Sequence, residues 1–228
     1  MTEIRNLVKD FGERTLSNLD FMQEHAHRAD VYEVTQLWNS LSGLLVLPYE
    51  HEVDAIRDGG SFTTRRVVGS QRGKAIFNTE MSFQVMEAGL SHQSDMPNCI
   101  GPENLEDDSE RWEKLAQSLE KKDQDRSASG RPSLRPILMR SVDPIDYMNP
   151  APRSAQQLIW IKASGSLEQT GDSEDLGLHR AILAYASDFS LMGTSLLPHA
   201  VSFLNPKLQP ASLDHCIWFH DDFKVDEW

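Results

Sequence analysis

The sequence has few cysteines and no long apolar run. Among its 228 residues there are two cysteines, Cys99 and Cys216, which lie far apart. Two isolated thiols argue against a disulfide framework and indicate a reducing compartment, with a single disulfide between them as the alternative. No run of about eighteen apolar residues occurs, so the sequence predicts no membrane-spanning helix. The polar, charged N-terminus does not fit the pattern of a secretory signal peptide.

Positive charge is also scarce. The chain has 22 Lys and Arg residues against 35 Asp and Glu, a net charge of −13. Because phosphate backbones repel an acidic chain, the sequence predicts no nucleic-acid partner. A local basic patch can still hold a small anion, and Arg65 and Arg66 form one such pair. Successive strand residues point to opposite faces, so only one of the two can face any one site. Surface exposure is the expected outcome for both.

The sequence gives only weak evidence for a metal site. His25 and His27 are two residues apart and lack a third ligand at a convincing distance. Asp214-His215 and His220–Asp222 resemble metal ligands only in isolation. We therefore predict no metal site and no cofactor.

The chain divides into four stretches. Residues 1–46 have apolar residues at helical spacing, and 47–126 combine extended runs with an acidic, helical region. Residues 127–156 include polar and proline-rich sequence that is typical of a linker, and 157–228 form a second folded part. The sequence predicts an α+β architecture, with helix packed on antiparallel sheet.

Extended runs alternate with glycine-containing turns in the first folded part. Strands are predicted at Tyr49–Ile56, Ser61–Ser70 and Lys74–Gln84, as an antiparallel meander. A helix is predicted around Trp112–Leu119.

In the second folded part, a strand is predicted at 157–166 and another at Pro210–Phe219. Between them, apolar residues from Ile182 to Leu197 recur on one face of a single long helix, which Pro198 ends.

Three blocks of sequence carry a family resemblance. They are Ile56–Val68 with Gly73–Phe77 and Ser82–Gln84, Leu183–Phe189 with Gly193–His199, and Ser212–His220. In content, order and approximate spacing, they resemble the type II acyl-CoA thioesterases of bacteria and their peroxisomal eukaryotic relatives. The resemblance covers roughly residues 47–228.

The resemblance implies a fold and a reaction. The fold is of the hotdog type, in which an antiparallel sheet wraps around a long helix, and this chain would contain an incomplete double hotdog. The reaction is hydrolysis of a fatty acyl-CoA to free acid and coenzyme A. It proceeds through an activated water, without a covalent intermediate.

The same resemblance implies the site residues. The aspartate of the family's Tyr-x-Ser-Asp motif corresponds to Asp188, at the flank of the apolar helix face. A partly desolvated carboxylate there is suited to act as a general base, and a solvated surface carboxylate is the alternative. The hydroxyl of the family's Ser/Thr-x-Asp-His motif corresponds to Ser212, which would hydrogen-bond the attacking water. The family's Asp-His pair, here Asp214-His215, is taken as structural.

A third group and the N-terminal part depart from the family pattern. The resemblance implies a glutamine on a strand that would follow Trp228, where this sequence ends. The Gly-Gly-Gln helix of the first hotdog is not found in 1–46. Two alternatives therefore stay open, a catalytically inactive acyl-CoA-binding or interaction relative and a fragment without function of its own.

The resemblance implies a peroxisomal location, although the chain ends in Asp-Glu-Trp without a targeting tripeptide; a cytoplasmic location is the other option. Assembly of identical chains is left open.

Overall fold

The computed structural model describes residues 50–118, 137–167, 175–208 and 211–228. These fall into two compact units that divide between Pro97 and Asn98. The helices predicted within residues 1–46, and His25 and His27 with them, lie outside the described residues.

The first unit is built on a three-stranded antiparallel meander. Its strands are β1 (Glu50–Asp58), β2 (Phe62–Gln71) and β3 (Lys74–Gln84), in the order β1-β2-β3. The predicted meander is confirmed to within two residues at each end. The β1–β2 register shifts between Asp54 and Arg57, and the β2–β3 register shifts after Gly69, so each pair contains a bulge-like irregularity.

The conformation of the turn between β2 and β3 explains why β2 ends at Gln71 and β3 begins at Lys74. Gln71 pairs with Lys74, and both residues between them have positive φ, 53° at Arg72 and 71° at Gly73. Positive φ at both central positions is the requirement of the two-residue hairpin turn whose twist matches the strands. Glycine adopts this conformation without steric cost, whereas arginine does not.

Arg65 lies inside the first unit, which contradicts the expected surface exposure. Its side chain donates to Asp58 Oδ1 at 2.5 Å and to the carbonyl oxygens of Arg57 and Thr64, both at 3.1 Å. Arg65 is buried together with Val67 two positions along β2, while Arg66 on the opposite face is exposed as expected. The two terminal nitrogens of the guanidinium are therefore used in local hydrogen bonds, while its buried Nε has no partner.

In the second unit, a short 3-10 helix at Pro102–Asn104 precedes helix α1 (Asp108–Ser118), which confirms the helix predicted around Trp112. Strand β4 (Ile137–Ser141) then pairs antiparallel with β5 (Ile159–Ala163). Because β4 lies within the stretch 127–156 assigned to a linker, part of that stretch belongs to the folded unit. Asp108 joins α1 to β4 by accepting from both the backbone N–H and the hydroxyl of Ser141, at 3.2 and 2.6 Å.

The predicted long helix is two helices, so its continuity through Leu197 is a wrong prediction. Helix α2 spans Leu176–Ser187, with Asp175 as its N-cap, and α3 spans Leu191–Leu196. The turn between them contains Asp188, Phe189 and Ser190. Aspartate and serine compete for backbone hydrogen bonds and favour helix ends. Ser187 indeed bonds the Ala184 carbonyl, at 2.8 Å.

The prediction of a strand at Pro210–Phe219 is also wrong. Residues 211–219 form no paired strand within the part of the chain that the structure describes. The local sequence has strand character, but a strand forms only where a neighbouring strand receives its backbone hydrogen bonds. Most of this segment is exposed, with Leu213 at 92% and Trp218 at 73% exposure.

The residues after this segment pack firmly. Ala163 N–H donates to the Val225 carbonyl at 2.7 Å, and Val225 N–H donates to Nδ1 of the buried His179 at 3.0 Å. Arg140 and Lys162 lie over the Trp228 ring at 4.8 and 5.0 Å. The core of this unit thus joins β4, β5, α2 and Val225, and its buried apolar residues are Ile137, Met139, Ala163, Leu167, Ala181, Ile182, Ala184, Tyr185, Ala186, Leu197 and Val225.

Candidate active site

Asp188 lies at the C-terminal end of α2. It is the C-cap residue of that helix, half-buried, and follows the buried run Tyr185-Ala186. Tyr185 and Phe189 pack edge to face at 5.0 Å on the apolar side, so Asp188 is at the flank of that face, as predicted.

Ser212 contacts this carboxylate directly. Its hydroxyl lies 3.0 Å from Asp188 Oδ1 and 3.1 Å from Oδ2, so its proton is shared between the two oxygens. The two residues are 24 positions apart, and Ser212 lies on the exposed segment 211–219. The structure therefore brings together the two side chains that the sequence predicts for the site. Their catalytic role stays a prediction.

A second hydrogen bond lies beside the first. Ser187 Oγ is 2.8 Å from His215 Nε2, and both residues are half-buried. Ser187 and His215 were not predicted as a pair. The only signal was their presence in the motifs that contain Asp188 and Ser212, and no local pattern indicates a contact between residues 28 positions apart.

The Asp188–Ser212 pair provides a carboxylate and a hydroxyl within reach of one water molecule. A water oxygen at ordinary hydrogen-bond distance from both Asp188 and Ser212 completes a triangle with sides of about 3 Å. The carboxylate can accept a proton from that water, and the serine oxygen can accept a second hydrogen bond from it. Among the described residues, no amide side chain joins Asp188 and Ser212, so the glutamine implied by the family is not part of this site as observed.

A largely apolar cavity borders α3. Its volume is about 120 Å³, and its lining includes Pro144, Ile145, Tyr147, Gly193, Leu196 and Phe203. Burial raises the pKa of Tyr147 to about 12, so its hydroxyl stays protonated at physiological pH. Ligand sites are typically about 300–1,000 Å³, so this cavity can hold only part of a substrate.

The described ranges contain neither a cluster of metal ligands nor a membrane-spanning helix. Within 50–118, 137–167, 175–208 and 211–228, no three His, Cys, Asp or Glu side chains are grouped so that they could hold a metal ion. In the same ranges, no helix has both the length and the apolar character needed to cross a membrane.

Two family models match this chain. Residues 143–228 match the acyl-CoA thioesterase family. Residues 1–123, just over half of the chain, match a family described as HEPN pEK499 p136, to which the N-terminal part thus belongs by sequence. The described residues of that part include the β1–β3 meander.

Curated proteins and solved structures give consistent similarities. Acyl-CoA thioesterase 2 of Haemophilus influenzae is 32% identical over 181 residues, which are 79% of this chain and 60% of that protein. Acyl-coenzyme A thioesterase 8 of Mus musculus is 33% identical over 80% of this chain and 56% of its own length. The crystal structure of an acyl-CoA thioesterase II from Mycobacterium marinum is 33% identical, with a TM-score of 0.55, over 78% of this chain and 57% of that one.

Two facts follow from these comparisons. The chain spans 60% or less of the length of these curated relatives. An aligned stretch of 181 residues is longer than the region 143–228, so the similarity extends into residues before it. The predicted fold class, α+β of the hotdog type, is confirmed by the structural similarity. With Asp188 and Ser212 inside the matched region, the chain belongs to the acyl-CoA thioesterase family.

Proposed function

We propose that this chain hydrolyses fatty acyl-CoA to free fatty acid and coenzyme A, with Asp188 and Ser212 acting on a water molecule. The observation that carries the proposal is the hydrogen bond between Ser212 and the Asp188 carboxylate, at 3.0 and 3.1 Å. It joins the two motifs of the family match on one surface. The enzyme class comes from the family, and the activity of this chain is the proposal.

In the proposed reaction, the Asp188 carboxylate accepts a proton from the water while the water oxygen attacks the thioester carbonyl carbon. The carbon–sulfur bond then breaks, and the thiolate takes up the proton that Asp188 accepted, which releases free coenzyme A and restores the carboxylate. The other product is the carboxylic acid. Ser212 orients the water by hydrogen bonding, and its contact with the carboxylate keeps the two groups in register.

Ser212 is not the nucleophile in this proposal. A serine nucleophile is usually activated by a histidine that takes its proton, and it sits on a strained Gly-x-Ser-x-Gly turn. Ser212 instead shares its proton with a carboxylate and lies on the exposed segment 211–219. The proposed mechanism therefore has no acyl-enzyme intermediate.

A second candidate function is acyl-CoA binding without turnover. The observation that favours it is that, among the described residues, no amide side chain joins the Asp188–Ser212 pair. Loss of one group from a cooperating set lowers turnover strongly.

Three further points belong to this proposal. Residues 47–126 and 157–228 correspond to parts of a first and a second hotdog, and identical chains associate through exposed sheet edges, because unpaired edges favour association. The apolar cavity next to α3 receives part of the acyl chain. The chain acts in the peroxisome, or otherwise in the cytoplasm.

The test is thiol release from medium-chain and long-chain acyl-CoA by the purified chain. We expect Asp188→Asn to lower kcat/KM by about 100-fold or more, because a general base contributes about 10²–10⁴ to the rate. Asp54→Asn is the matched control, since Asp54 is an exposed aspartate on β1. It should stay within about twofold of the unaltered chain.

Binding is measured in the same preparation by calorimetry with a non-hydrolysable acyl-CoA analogue. Turnover that depends on Asp188 supports the hydrolase. Binding without turnover, in protein shown to be folded, supports the second candidate. Turnover that Asp188→Asn leaves intact would overturn the proposed site.

A further inference from the structure

Two hydrogen bonds connect the end of α2 to the segment 211–219, and they come from consecutive residues. Ser187 bonds His215 at 2.8 Å, and the next residue, Asp188, bonds Ser212 at 3.0 Å. The partners on the segment are three residues apart. Between the described residues of this segment and α2, these two contacts thus form a paired attachment.

The hydrogen-bond donors of this attachment can be assigned from the contacts of Ser187. Its hydroxyl is 2.8 Å from the Ala184 carbonyl oxygen and 2.8 Å from His215 Nε2. A carbonyl oxygen only accepts, and a hydroxyl has one proton to give. Both contacts are hydrogen bonds at the same time only if Ser187 donates to Ala184 and His215 Nε2–H donates to Ser187. His215 then carries a proton on Nε2.

With these donors, Ser187 and His215 do not form a catalytic serine–histidine dyad. A base that activates a serine must accept the serine proton at the nitrogen that faces it. His215 instead donates at that nitrogen, and the Ser187 proton is already directed to the Ala184 carbonyl. The contact therefore fixes position.

The segment 211–219 depends on side-chain contacts of this kind to hold its position. Residues 211–219 have no paired strand among the residues that the structure describes, and Ser212, Leu213 and Asp214 are all exposed. Without a ladder of backbone hydrogen bonds, the place of the Ser212 hydroxyl depends on side-chain contacts. A displacement of about 1 Å can cost as much as 100-fold in rate, so the attachment bears directly on turnover.

We propose that His215 is a positioning residue for the hydrolysis, which holds Ser212 against Asp188 by donating from Nε2 to the Ser187 hydroxyl. The inference rests on the proposed function and adds a residue to it. His215 contacts neither Asp188 nor the substrate in this account. It acts through Ser187, at the helix end that also presents the carboxylate.

The experiment compares two replacements of similar length. His215→Gln keeps an N–H donor near the position of Nε2, whereas His215→Met fills similar space without a donor. We expect His215→Met to lower kcat by roughly 3–10-fold with KM changed by less than about twofold, the range expected for loss of one hydrogen bond. His215→Gln should recover kcat to within about threefold. The double variant Ser187→Ala with His215→Met should lose no more than the methionine variant alone, because both changes remove the same bond.

Crystal structures of the same variants give a readout that needs no activity. In His215→Met the separation of Ser212 Oγ from the Asp188 carboxylate should exceed the hydrogen-bond limit of about 3.5 Å, and in His215→Gln it should stay at 3.0 Å. Thermal unfolding of each variant shows that it is folded. An unaltered chain without turnover would contradict the proposed function, and the structures would still decide the role of His215. If His215→Met retains the 3.0 Å contact, or turns over as fast as the unaltered chain, the positioning role is overturned.

Discussion

The β1–β3 meander and the α2–α3 region with segment 211–219 show two ways in which a sequence specifies structure. The meander follows its local pattern closely. The turn Arg72-Gly73 sets the register of two strands, and β3 has the predicted bounds. The α2–α3 region departs from its local pattern twice, at the break after Ser187 and at the absent strand after Ala211.

The difference lies in how far apart the interacting residues are. A hairpin is decided by a turn and its two neighbours, so its signal is local. The candidate site is decided by contacts across 24 and 28 positions. Polar residues there end a helix and hydrogen-bond one another across these distances. Changes at Asp188, Ser212 and their hydrogen-bond partners should therefore alter turnover, and changes in the meander should alter stability.

Among substitutions that leave Asp188 in place, the largest effect is expected from Ser212. Ser212→Ala removes the hydroxyl that contacts Asp188, and we expect kcat/KM to fall about 10–100-fold while the unfolding midpoint changes little. Ser212→Thr keeps the hydroxyl and should stay within about fivefold of the unaltered chain. The measurement is thiol release together with thermal unfolding.

Ser195→Ala is the control for that substitution, since Ser195 is an exposed serine on α3 that bonds the Met192 carbonyl. It should leave turnover unchanged. If Ser212→Ala is so destabilised that its unfolded fraction explains the lost activity, the site region would act on stability, as the meander does. That result would contradict the distinction between the two regions.

A smaller effect is expected from pH, through the meander. Burial lowers the pKa of His51 on β1 from 6.5 to about 4. Below pH 6.5 the unfolded chain takes up a proton that the folded chain does not, so stability is present above that pH and is lost as pH falls toward 4. Between pH 7 and pH 5 we expect a loss of about 1–2 kcal/mol, given that His51 is only partly buried.

The measurement is urea unfolding followed by circular dichroism at several pH values. His51→Gln should reduce the pH dependence over this range. If the unfolding free energy of the unaltered chain and that of the glutamine variant depend equally on pH, groups other than His51 control the pH dependence.

The smallest effect concerns the turn of the meander. Gly73→Ala places a side chain at φ 71°, and no atom lies within 4 Å of the position that the new Cβ would take, so the cost is conformational. We expect about 1 kcal/mol of lost stability and unchanged turnover. Gly60→Ala has equal space and no positive φ, so it serves as the matched control with almost no loss. Equal losses in the two variants would contradict the role assigned to backbone conformation.

The sequence predicts much of the fold and part of the site. Periodicity locates β1–β3, β5, α1 and α2, because these elements depend on local pattern. The resemblance predicts Asp188 and Ser212 as site residues, and their catalytic role stays a prediction. Neither their contact nor the Ser187–His215 bond follows from periodicity. Strand β4 and the docking of Val225 on His179 were missed for the same reason, since each depends on a partner distant in sequence.

The most direct test of the central claim is a double-substitution cycle between Asp188 and Ser212, measured as kcat/KM for acyl-CoA hydrolysis. If the two residues act on one water molecule, the double variant Asp188→Asn with Ser212→Ala should lose no more activity than Asp188→Asn alone, about 100-fold or more. Losses that multiply would show that the residues act independently, and would contradict a shared water at this site.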